Sequence, residues 1–148
     1  MSINFTKGHG TGNDFVLVLD EIGQLDFSEL EIQKLCDRNF GVGADGLIVI
    51  RPTKSSEVED LLDQESAATW FMDYRNRDGS KAEMCGNGIR VMARFLVEHE
   101  LVKIDPGSTL PIATRAGIKD LTQTANGFAV DLGRFSIDEE EVLSRPQD

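Results

Sequence analysis

Residues 82–95 read AEMCGNGIRVMARF, and this stretch decides the architecture. Past Gly88, the residues Ile89, Val91, Met92, Ala93, Phe95, Leu96 and Val97 leave only Arg90, Arg94 and Glu98, spaced i, i+4, i+8, as a polar stripe. A helix that is apolar around most of its circumference is buried on most sides. The spacing predicts such a helix over residues 86–99. Strand-like segments stand before and after it, so the economical fold is α+β: a curved mixed β-sheet, or partial barrel, wrapped around a central helix. Cys85 then lies at the helix N-terminus, where unpaired backbone N–H groups and the positive end of the dipole meet. Gly86 and Gly88 clear side chains from around the sulfur. Cys85 is therefore either a small residue packed in a tight turn or a thiol made more acidic by the helix end. The same N–H groups would also suit a carboxylate.

Working outward, strands are expected over residues 3–7 and 14–19, separated by the turn GHGTGN, and over 47–51 and 68–75. Three more are expected at 109–114, 118–124 and 128–132, the last two joined by Asn126-Gly127, a hairpin signal. Ser28-Glu-Leu-Glu31 is a capping box with Phe27 and Ile32 as its hydrophobic staple. It opens a helix expected to reach about Asn39, ended by Gly41. Residues 53–66 are polar and acidic and read as a surface loop, with a helical turn expected at 58–62, and Asn76-Arg-Asp-Gly79 closes the fourth strand as a turn.

The 148 residues have the size of one domain, and 40% are apolar. The net charge of −11 argues against nucleic acid and anionic membranes as partners. The longest apolar runs, at 15–19 and 47–50, are too short to span a bilayer. Two cysteines and no secretory signal point to thiols in a reducing cytoplasm. Cys36 falls on the apolar face of the first helix and reads as core packing. With only His9 and His99 beside the two cysteines, no zinc signature forms. A Cys85–His99 dyad is disfavoured, because about four helical turns separate the two residues. Gly41-Val-Gly-Ala-Asp-Gly46 matches G-x-G-x-x-G, but here a helix precedes and a strand follows, the reverse of the dinucleotide-binding order.

KGHGTGNDFVLV, DRNFGVGADG and FMDYRNRDGSKAEMCGNGIRVMARF, in that order and spacing, resemble diaminopimelate epimerase across most of residues 3–135. The resemblance implies interconversion of LL- and meso-diaminopimelate, for lysine and peptidoglycan precursors, without pyridoxal phosphate or metal. In that family two cysteines flank the α-carbon of the substrate, one thiolate removing a proton and the other thiol delivering one to the opposite face. Carried over by position, Cys85 is one of these thiols. Asn13 and Asn76 bind substrate through their amides, and Gly86 and Asn87 offer backbone N–H groups to the α-carboxylate. Gly46 departs from the family, many members having Gln there. The resemblance also implies that residues 1–135 form the N-terminal epimerase domain, that 136–148 are an acidic tail or the start of a linker, and that the second domain, with the second cysteine and a Glu-Arg pair, is absent. The expected partners are the small-molecule substrate and a complementary C-terminal half, or self-association. A non-catalytic half-domain that binds an amino acid or a partner subunit is the alternative.

Overall fold

The computed structural model describes residues 2–131. Seven strands form one sheet in sequence order: β1 (Thr6–Gly10), β2 (Asn13–Leu19), β3 (Gly46–Pro52), β4 (Trp70–Asn76), β5 (Thr109–Thr114), β6 (Gly117–Thr124) and β7 (Gly127–Val130). Neighbours pair antiparallel except β2 with β3 and β4 with β5, which are parallel. Helix α1 (Glu29–Cys36) makes the first parallel crossover and α2 (Gly86–Glu98) the second.

The two helices cover opposite faces, and strand alternation sorts the side chains between them. Phe15, Leu17, Ile48, Ile50, Met72 and Tyr74 face α2 and pack on Ile89, Met92, Ala93 and Leu96. Val16, Val18, Leu47 and Val49 face the other way, onto Ile32 and Cys36 of α1. Helix α2 touches β1 at one edge of the sheet and β7 at the other, as well as β2, β3 and β5 between them. A single helix reaches both edges only if the sheet curls around it, which yields the partly closed barrel expected from the sequence.

Several boundaries differ from expectation, each for a local reason. The first strand lies at Thr6–Gly10 rather than 3–7, because Gly8, His9 and Gly10 pair with Phe15, Asp14 and Asn13. The turn shrinks to Thr11-Gly12, with φ of 51° and 86°, the left-handed pair that a two-residue hairpin needs. Helix α1 stops at Cys36, short of Asn39. Asp37 turns extended, and its carboxylate accepts the Asn39 and Phe40 N–H groups. Gly41 sits against the open carbonyl end, where a Cβ would lie 2.0 Å from the Lys34 oxygen. Residues 53–66 are not all surface: Leu61 packs with Ala68, Phe71 and Ala113 in a small third core. Their helical turn is present at Glu59–Leu61. Asn76 ends β4 and also opens the expected turn, its carbonyl accepting the Gly79 N–H at 2.9 Å. The final hairpin turns at Ala125-Asn126, one residue earlier than expected, and Leu132 and the 136–148 segment lie outside the described residues.

The capping box forms as read: Ser28 Oγ accepts the Glu31 N–H at 3.1 Å, and the Glu31 carboxylate accepts the Ser28 N–H. Ser28→Ala is expected to lower stability by about 1 kcal/mol in urea unfolding, since one helix-end donor loses its partner. Among the described residues no helix is long and apolar enough to cross a membrane.

Candidate functional site

Cys85 is the N-cap of α2, with extended backbone at φ −130° and ψ 121°. Its side chain makes no capping hydrogen bond. The first-turn N–H groups, those of Gly86 and Asn87 among them, have no acceptor within the helix by geometry. Gly88 lies close against the sheet: a Cβ there would stand 3.1 Å from Met72 Cε and 3.2 Å from Ile48 Cδ1. The helix start is thereby pressed onto β3 and β4, and half-buried Cys85 packs against the main core.

The side chain that reaches the sulfur is Tyr74, two residues before Asn76 on the same face of β4. The Tyr74 phenol and the Cys85 thiol are hydrogen-bonding neighbours. Burial first, then negative charge on Cys85 and that hydrogen bond, push the phenol up to about 12. Tyr74 therefore stays protonated at neutral pH and can donate to the sulfur. Its ring stands edge-on to Phe15, with centroids 6.0 Å apart.

Asn13 and Asn87 meet directly, Asn87 Nδ2 donating to Asn13 Oδ1 at 2.7 Å although 74 residues separate them. Asn13 Nδ2 donates in turn to Asp45 Oδ2 at 3.4 Å, and Arg90 donates to Asn87 Oδ1. Asp45 belongs to a charged group that includes Asp14, Lys7 and Arg38. Arg38 first, and then Lys7, hold the Asp14 carboxyl well below the usual carboxylate range. Asn76 pairs in register with Gly46, and Phe15, beside the Asn13 end of β2, pairs with Gly46 from the other side. Asn13 and Asn76 thus belong to one end of the sheet. The Asn76 amide nitrogen donates to Ser80 Oγ at 3.0 Å, which leaves it outside the Asn13–Asn87 pair.

Sequence reasoning missed Tyr74, Asp45 and Arg90. Arg90 carried a signal, since it stands three residues after Asn87 on one helix face. Tyr74 and Asp45 carried none, because their contacts exist only once distant segments pair. Cys36 is 1% exposed within the α1-side core, and burial, its largest influence, raises its thiol pKa. It is packing, as expected. His99 caps the far end of α2, stacked on Phe95 with Nδ1 at 3.0 Å from the Phe95 oxygen. The loop before β3 spends its N–H groups within the protein: Gly43, Ala44 and Asp45 donate to Leu35, Cys36 and Asp14. A cavity of about 570 Å³ lies elsewhere, between β1 and the β6–β7 hairpin over the Arg90–Arg94–Glu98 stripe. None of Cys85, Asn13, Asn76 and Asn87 lines it. No three His, Cys, Asp or Glu side chains among the described residues are placed to hold a metal ion.

Comparison with known proteins identifies the family. The chain is 45% identical over 140 residues to the diaminopimelate epimerase of Thermobifida fusca, covering 91% of this chain and 49% of that protein. It is 46% identical over 134 residues to the diaminopimelate epimerase of Streptomyces coelicolor, covering 89% and 44%. It therefore spans about half the length of the curated relatives it matches. Among solved structures, a methylitaconate-delta-isomerase superposes with a TM-score of 0.58 over 93% of this chain and 38% of its own, at 16% identity, which speaks to the fold alone. The family profile for diaminopimelate epimerase matches residues 5–137, and the chain belongs to that family.

Proposed function

We propose that this chain forms one half of a diaminopimelate epimerase site, with Cys85 as one of two acid/base thiols. The observation that carries the reading is the position of Cys85: N-cap of α2, unspent in capping, with the Tyr74 phenol at its sulfur. As a thiolate, Cys85 takes the α-proton and leaves carbanion character beside the substrate carboxylate. Helix-end N–H groups of Gly86 and Asn87 hold that carboxylate as the charge develops. Asn13 and Asn76 orient the zwitterion without adding charge. In the reverse direction the Cys85 thiol returns the proton to the same face.

Inversion needs a second acid on the opposite face, and no described residue stands there in this reading. Residues 1–135 act as the N-terminal domain, and a complementary half supplies the second thiol, on a longer polypeptide or a separate one. A face awaiting a partner fits the exposed apolar side chains on the α1–β3 loop, where Phe40 is 96% exposed and Val42 39%.

The test is incubation of the 148-residue chain with LL-diaminopimelate in deuterated water. One-base exchange by Cys85 places solvent deuterium at the α-carbon with no meso product, and Cys85→Ser reduces it to background. Equal signals from wild type and Cys85→Ser would reject Cys85 as a base and favour a non-catalytic half-domain. Adding a complementary C-terminal half is expected to convert exchange into epimerisation.

A further inference from the structure

Asn13 and Asn87 stand in a hydrogen-bond chain whose two ends differ in kind. At one end Arg90 donates to Asn87 Oδ1. At the other, Asp45 Oδ2 accepts from Asn13 Nδ2. A guanidinium has no acceptor, and an ionised carboxylate has no donor. Reversing Asn87 would put its NH₂ against the Arg90 N–H groups; reversing Asn13 would put its carbonyl against the Asp45 carboxylate. Reversing both would oppose like groups at both ends. The amides therefore run one way only, from Arg90 through Asn87 and Asn13 to Asp45.

The acceptor end is itself fixed. Asp45 Oδ2 also accepts the Asp14 N–H at 3.1 Å, and Asp45 Oδ1 accepts from Arg38 at 3.0 Å. The donor end belongs to the same helix face as Asn87, one turn along. The chain thus ties three segments together: the start of β2, the residue before β3 and the first turn of α2. Both amide oxygens are engaged by donors within the protein. Each amide nitrogen spends one hydrogen in the chain and keeps a second.

We infer that Arg90 and Asp45 are positioning residues, which polarise the Asn13–Asn87 amide pair so that it offers N–H groups to a carboxylate-bearing ligand beside the α2 N-terminus. This rests on the reading of that region as the substrate site. It deepens that reading by giving the amides a direction. Two side-chain N–H donors add to the backbone N–H groups of the helix start, a combination that selects an anionic group over an ammonium.

The test uses the ¹⁵N-labelled 148-residue chain, following the side-chain amide resonances of Asn13, Asn76 and Asn87 while LL-diaminopimelate is titrated in. Arg90→Leu removes the donor and is expected to move the Asn87 and Asn13 signals together. The Asn76 signal, held by Ser80, stays in place. Affinity for LL-diaminopimelate is expected to fall about tenfold, the size of one lost charge-assisted hydrogen bond. Arg90→Lys keeps a donor and is expected to restore both the resonances and most of the affinity. Movement of Asn87 without Asn13 would overturn the inference. So would unchanged affinity in Arg90→Leu, or no rescue by lysine. If the wild-type chain binds no diaminopimelate while Arg90→Leu still moves both signals and lysine restores them, the chain of amides stands and the substrate reading fails.

Discussion

Replacing Asp73 with alanine is expected to lower folding stability by about 3–5 kcal/mol, the cost of stranding buried charge. Asp73 sits in the middle of β4 with its side chain 3% exposed. Three guanidiniums converge on it: Arg51 at 2.7 Å, Arg75 at 2.8 Å, and Arg115. Their own side chains are 10–11% exposed, so all three are largely withdrawn from water with the carboxylate. Asp73→Asn keeps the volume but not the charge, and is also expected to destabilise strongly. Glu57→Gln is the control. Glu57 pairs with Arg115 and with Lys81, but its side chain is 42% exposed, and such pairs contribute about 0–1 kcal/mol. Urea unfolding of the three variants measures the contrast. Equal, small losses would show that the cluster is not a buried unit.

The same cluster sets an acid limit. Burial, the largest single influence on Asp73, would raise its carboxyl. The hydrogen bonds from Arg75 and Arg115 and their charges outweigh burial and hold it below its ordinary value. A carboxyl whose folded-state pKa is depressed contributes fully above its unfolded value of about 3.9. That contribution is lost as the pH falls through the lower folded-state value. Stability is therefore expected to fall on acidification below about pH 4, and less steeply in Asp73→Asn.

The reach of the sequence follows the distance of each interaction. The capping box at Ser28 and the apolar circumference of α2 are local patterns, and both appear as read. The curl of the sheet followed from α2 and the strand patterns on either side of it, because a helix with so narrow a polar stripe must be surrounded. Boundaries set by pairing were less legible: nothing within TKGHG says that its glycines lie in a strand, since only β2 holds them there. The charge cluster was hidden for the same reason. Asp73, Arg51 and Arg115 come from three strands or their ends, and a strand pattern that counts charges as surface cannot foresee them meeting in the interior. At the site, Cys85, Asn13, Asn76, Gly86 and Asn87 were visible through motifs. The residues that orient them, Tyr74, Asp45 and Arg90, act through contacts spanning 3 to 32 residues or through packing that no motif records.

Gly46→Gln is expected to destabilise the chain by about 1–3 kcal/mol, the usual range for overpacking, although many members of the family have glutamine at this position. The clash is spatial. A Cβ at Gly46 would lie 2.6 Å from Tyr74 Cε1 and 2.7 Å from the Arg75 carbonyl oxygen, and the second of these is backbone. The register explains the crowding. Ile48 faces Tyr74 directly, which puts Gly46 on the diagonal, where an aromatic ring can lie across a glycine. Tyr74 fills the space that a side chain at position 46 would take, between Phe15 and Cys85. Glycine at 46 and tyrosine at 74 are thus a matched pair, and the tyrosine reaches the thiol because the glycine lets it. Forcing the ring aside is expected to cost stability and to separate the phenol from Cys85. A double-mutant cycle distinguishes this from a general loss of packing: Tyr74→Ser alone should cost about 3–5 kcal/mol, the range for truncating a buried aromatic ring, whereas in the Gly46→Gln background it should cost clearly less, because the ring has already been displaced. Additive losses would mean that the two positions are not coupled through the ring. The side-chain contact that the family's glutamine would make is then not simply missing here, because tyrosine occupies its place.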